Sequence, residues 1–256
     1  MLGLLNLIML KFHLILICSI LGIIFSSLLL LVIKQLPHVL YNSWYRDSCA
    51  ILDKSHSGNC IPPNTEVIHK KTFTLFICVL FILCAINAHS ILMLFASLIF
   101  ISVLAILIVI DYKTMLLPDE LTIPLIWVGL LFNLNGLISG SLENSIYGAV
   151  IGYLSLWSVF WVFKLLTKRD GLGYGDFKLL SAILAFLGFQ YLVPMLLVSS
   201  ILGILYFLLM TIWNKTQEKQ IDFKEDGAIP FGPYLSIAAI ILLFGGKNII
   251  NILMIL

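Results

Sequence analysis

Two carboxylates set in otherwise apolar sequence carry the chemistry of this chain: Asp111, in VIDYKTMLLPDELTIP (109–124), and Asp176, in DGLGYGDFKLL (170–180). Each stands where a long apolar run ends or begins. Carboxylates at such positions are costly and mark functional sites. A pair close enough to share a proton titrates in two separated steps, because two like charges resist ionising together. One member then serves as base and the other as acid. That suffices to hydrolyse an amide: the ionised carboxylate draws a proton from water while the protonated one polarises the carbonyl, with no metal and no covalent intermediate. Such a site must admit water, which places it near a membrane interface.

The elements that hold these groups follow from composition. Of 256 residues, 61% are hydrophobic and 11% charged, far from the roughly half-apolar make-up of a soluble domain. The apolar residues fall in blocks that are apolar all round, as lipid-facing helices are. The sequence predicts an all-α fold, a polytopic transmembrane helical bundle of about eight spans, at 12–33, 72–88, 90–110, 121–138, 146–166, 178–189, 191–213 and 231–245. The N-terminal run is too long for a secretory signal and lacks an obvious cleavage site, so the first helix is expected to be retained. Three divisions follow: a first membrane helix at 1–34, a cytoplasmic loop at 35–71 and a membrane domain at 72–256.

Charge sets the orientation. With the segment after the first helix inside, all of the 15 Lys and Arg residues except Lys11 and Lys247 fall on the cytoplasmic side, as the positive-inside rule requires. Asp111 then ends the third span and Asp176 begins the sixth, both at the cytoplasmic face. The net charge of +2 is too small to suggest nucleic acid. Lipid is the expected surrounding, with Trp127, Trp157, Trp161 and Trp213 as lipid-facing or interfacial anchors.

Around the aspartates, Gly173 and Gly175 flank Tyr174 and give an uncrowded backbone that another segment can approach closely. Pro118 is expected to break the helix leaving Asp111 and start the turn into the fourth span. Asp119 and Asp170 read as turn and interface residues. Lys113 and Lys178, each two residues after an aspartate, either bias the pair's protonation, bind substrate backbone or obey topology alone.

These residues form an ordered set: an aspartate seven residues before LPD (Asp111, with Pro118 and Asp119), GxGD at 173–176, IPFGPYLSIA at 229–238, and SSLLLLVIKQLP at 26–37. The set resembles type IV prepilin peptidases, the GxGD family of intramembrane aspartic proteases. The resemblance implies an endopeptidase of the bacterial inner membrane that removes a short basic leader from type IV prepilins or pilin-like secretion proteins (pseudopilins) at the cytoplasmic face. It implies Asp111 and Asp176 as the catalytic residues, with Gly173, Gly175, Lys113, Lys178, Pro118 and Asp119 as support. It further implies, in many members, methylation of the new N-terminus with S-adenosylmethionine as donor.

The chain departs from that pattern in the loop. Family members commonly carry two CxxC pairs that bind zinc; here only Cys49 and Cys60 stand in the loop, separated by ten residues, with His38, His56 and His69 nearby. A zinc tetrad is not written at that spacing, and no metal is expected. Cys18, Cys78 and Cys84 lie in apolar spans and read as packing residues. Two other functions stay open: a proton-coupled membrane transporter, which would place its carboxylates near the midplane, and a catalytically inactive scaffold for pilus assembly.

Overall fold

The computed structural model describes residues 2–51, 69–134, 136–138, 140–168, 171–216 and 230–255. These residues build an all-helical bundle: α1 (Leu2–Ile51), α2 (Lys70–Asn87), α3 (Ile91–Thr114), α4 (Asp119–Phe132), α5 (Leu142–Thr167), α6 (Tyr174–Leu187), α7 (Leu192–Thr216) and α8 (Gly232–Ile255). A short 3-10 turn, Phe189–Tyr191, joins α6 to α7. The polytopic helical bundle read from the sequence is the observed architecture.

The helices are unequal. Five of them, α1, α2, α3, α5 and α7, are long and apolar enough to cross a bilayer. The apolar part of α8 is shorter, and α4 and α6 have 14 residues each. At 1.5 Å per residue these two reach roughly 21 Å, against a hydrocarbon core of about 30 Å.

α1 runs 50 residues, well past the apolar stretch. The polar segment 35–71 therefore begins as helix. Pro37 and Leu40 are buried there while His38, Val39 and Trp44 are exposed, a one-sided pattern that suits a helix continuing along the bundle. Asp53, Lys54, His56, Cys60, Pro62 and Pro63 lie outside the described residues, as do Arg169 and Asp170.

α6 is the innermost helix, and eleven of its 14 residues are buried. Its neighbours reach it through glycine. On α5, Gly148 and Gly152 form a small-xxx-small pair, and a Cβ added at Gly148 would run into the carbonyl oxygen of Leu184. On α4, a Cβ at Gly129 would come 2.8 Å from backbone atoms of Ala185 and Phe186. Without a hydrophobic drive between helices in lipid, such close backbone approach supplies the packing. Polar side chains complete the join. Asn133 Nδ2 donates to the carbonyls of Ala185 and Phe186 at 3.2 and 2.9 Å, and Ser145 Oγ donates to Ala185 at 2.7 Å. These bonds satisfy the carbonyls that the last turn of a helix leaves open, so α6 can end inside the protein at Gly188. Phe186 also stacks on Phe100 of α3 at 4.0 Å, which couples the two aspartate-bearing helices below the site.

Candidate active site

Asp111 sits one turn before the end of α3. The helix closes on Met115, a non-glycine residue in the left-handed region (φ 56, ψ 32), whose N–H donates to the Asp111 carbonyl at 2.8 Å. The chain crosses through Leu116 and Leu117 to Pro118, which is buried and caps the start of α4. Pro118 thus opens α4, whereas α3 has already ended at Thr114 without its help.

Asp176 sits in the opposite setting, at the third position of α6. Gly173 is the N-cap and accepts from the Asp176 N–H at 3.2 Å, while Asp176 Oδ2 stands 3.6 Å from where a Cβ on Gly173 would lie, so the carboxylate sits at the helix mouth. Glycine is not required by the torsions of Gly173 (φ −78, ψ 142). At Gly175 the need is space: a Cβ there would meet the Cβ of Leu117 at 2.7 Å.

Asp111 and Asp176 are 4% and 7% exposed, and their charges interact. Both line one cavity of about 440 Å³, together with Leu117, Asp119, Tyr174 and Phe231 among others. The cavity takes residues from the end of α3, the starts of α4 and α6, and the approach to α8. Four helix ends therefore gather at one end of the bundle, as the charge pattern requires.

The remaining candidates divide. Gly173, Gly175, Asp119 and Lys178 line the cavity, while Lys113 and Pro118 do not. Lys178 Nζ lies 2.7 Å from both carboxylate oxygens of Asp119, so this lysine ties α6 to the start of α4. The pair is exposed (33% and 50%), and exposed pairs contribute little. Asp119→Asn is accordingly expected to lower thermal stability by no more than about 1 kcal/mol and to leave most activity. Melting curves and cleavage rates on the purified variant check both.

Sequence reading passed over two residues here. Gly232, the first residue of α8, faces Asp111 so closely that a Cβ would come 2.5 Å from its Oδ2. Leu117 packs against both Gly175 and Gly232 and lines the cavity. The signal was present in LPD and in the FGP of IPFGPYLSIA, but neither residue carries a functional group to draw notice. For metal, the described residues contain no group of three His, Cys, Asp or Glu able to hold an ion. Cys49 and His38 lie on α1 and His69 precedes α2, while Cys60 and His56 lie outside the described residues.

No solved structure matches the chain significantly. Among curated proteins, it is 50% identical over 155 residues to a prepilin leader peptidase/N-methyltransferase of Aeromonas hydrophila, covering 60% of this chain and 50% of that one. It is 46% identical over 159 residues to the protein of the same name from Pectobacterium carotovorum subsp. carotovorum (61% and 53%). With that of Dichelobacter nodosus it shares 42% over 169 residues (66% and 54%). The chain thus spans about half the length of the curated relatives it matches. Residues 98–208, the stretch that holds both aspartates and the packing around them, match the type IV leader peptidase family.

Proposed function

We propose that this chain is an intramembrane aspartic endopeptidase that cleaves the short basic leader from type IV prepilins or pseudopilins, with Asp111 and Asp176 as the catalytic pair. One observation carries the reading: two nearly buried carboxylates, brought by separate helices to one cavity, within the stretch that matches the leader peptidase family. The substrate peptide enters extended across the starts of α6 and α8. The ionised carboxylate removes a proton from water, and the resulting nucleophile attacks the scissile carbonyl as the protonated carboxylate gives its proton to the carbonyl oxygen. Collapse of the tetrahedral adduct passes a proton to the leaving nitrogen, breaks the C–N bond and restores the pair to one proton.

Methylation of the new N-terminus is the second proposed activity, on the relatives' names. S-adenosylmethionine would supply the methyl group. Of the segment 35–71, the described residues are the end of α1 and the start of α2, and the aspartate cavity takes nothing from them. The mechanism that follows from the aspartate pair stops at the free amine.

We place the protein in the bacterial inner membrane with the site at the cytoplasmic face. Cysteines introduced at Lys71 and His89, at opposite ends of α2, test this in a chain stripped of its five native cysteines. His89→Cys is expected to react with an impermeant thiol reagent in intact cells, and Lys71→Cys only after the membrane is opened. The reverse pattern would put the cavity on the wrong face for a leader peptidase. For the activity itself, co-expression with candidate pilins, read by leader removal and by the mass of the mature N-terminus, separates peptidase from transporter and scaffold. A chelator is expected to leave cleavage unchanged, since two carboxylates suffice for the chemistry; loss of cleavage, restored by added zinc, would require a metal.

A further inference from the structure

We infer that, with the aspartate pair acting as proposed above, Leu117 is the positioning residue that sets the spacing of that pair and limits how much water the cavity holds beside it. The side chain stands where two glycines leave room for it. A Cβ added at Gly175, the residue before Asp176, would lie 2.7 Å from Leu117 Cβ and 3.2 Å from its Cδ1. A Cβ added at Gly232, the residue that faces Asp111, would lie 3.2 Å from the same Cδ1. One aliphatic side chain thus touches the backbone beside each aspartate, and it lines the cavity between them.

The turn that carries Leu117 is pinned at both ends. Upstream, Met115 closes α3 with its bond to the Asp111 carbonyl. Downstream, Pro118 is buried and Asp119 pairs with Lys178, two residues past Asp176. From Asp111 to Asp119 the chain runs as a strap from the third helix to the first turns of the sixth, with Leu117 as its inward knob. The glycines fit this role: a side chain at position 175 would meet the Cβ of Leu117, and one at 232 would crowd its Cδ1 while displacing the Asp111 carboxylate. Proton sharing between carboxylates depends on separation and on the local dielectric, and an aliphatic filler controls both.

The test uses the full chain purified in detergent, a pilin precursor with a short basic leader as substrate, and kcat, KM and the pH profile of kcat as readouts. Leu117→Ala is expected to insert and accumulate as the parent does while kcat falls by about 10²-fold and KM changes by less than about threefold. Its bell-shaped kcat profile is expected to narrow, since water entering the vacated space screens the carboxylates from each other and draws their two apparent pKa values together. Leu117→Met, which keeps the volume, is expected to restore both the rate and the width of the bell. An unchanged kcat and bell in Leu117→Ala would overturn the inference, as would a loss in Leu117→Met equal to that in alanine. Should the alanine variant fail to accumulate, Leu117→Val supplies the same comparison at a smaller loss of volume, and a normal profile there would be equally fatal. Asp111→Asn serves as the separate control: its activity tests the pair, whereas an inactive Asp111→Asn beside an unperturbed Leu117→Ala rejects only the role of Leu117.

Discussion

Asp111→Asn and Asp176→Asn are each expected to lower leader cleavage by about 10³-fold or more, because the step needs both a proton acceptor and a proton donor and an amide is neither. The structure indicates why the fold should survive. Asparagine at position 176 has the shape of the aspartate it replaces, and the bond from the N–H of residue 176 to the Gly173 carbonyl at 3.2 Å runs through the backbone, so the mouth of α6 is unchanged. At position 111 the bond that closes α3 runs through the backbone carbonyl and does not involve the side chain. The double mutant is expected to be no worse than either single one, since the two groups act as a unit. Single-turnover cleavage of a pilin precursor by membrane-inserted protein measures this. Processing at near the parent rate by either variant would remove the pair from the mechanism.

Gly232→Ala carries the second large effect, a fall in kcat of about 10²-fold. The added methyl would meet Asp111 Oδ2 at 2.5 Å, closer than real Cβ contacts come, and its Cγ at 3.1 Å. A short carboxylate side chain yields to such pressure more readily than a helix does. The protein is therefore expected to insert normally and to misplace the Asp111 carboxylate. A normal melting temperature with a collapsed kcat is the expected pattern. Unimpaired cleavage by Gly232→Ala would mean that the start of α8 stands further from Asp111 when substrate is bound.

Much of this was legible before the coordinates. The long apolar runs placed all eight helices, and charge bias brought the end of α3 and the start of α6 to one face, where both aspartates line a common cavity. What the sequence withheld has a common cause. Leu117, Gly232 and the glycines of α4 and α5 act by volume or by its absence, and a residue without a functional group shows its role only when its neighbours are known. Lys178 illustrates the converse: two residues from Asp176 in sequence, it pairs with Asp119 of another helix. In the segment 35–51 the polar residues read as loop, yet Pro37 and Leu40 are buried on one side and α1 continues to Ile51.

The shortness of α6 has a consequence for the lipid. A helix of roughly 21 Å in a hydrocarbon layer of about 30 Å is mismatched with its solvent, yet α6 is shielded from acyl chains by its neighbours and capped within the protein by Asn133 and Ser145. The deficit therefore falls on the end that is not capped inside the bundle, where Asp176 lies. That end is then expected to lie recessed beneath the headgroups, to a depth that follows the thickness of the bilayer. Acyl-chain length is thereby expected to be a parameter of hydration at the carboxylates, and a membrane of altered thickness to act on the pair without touching it.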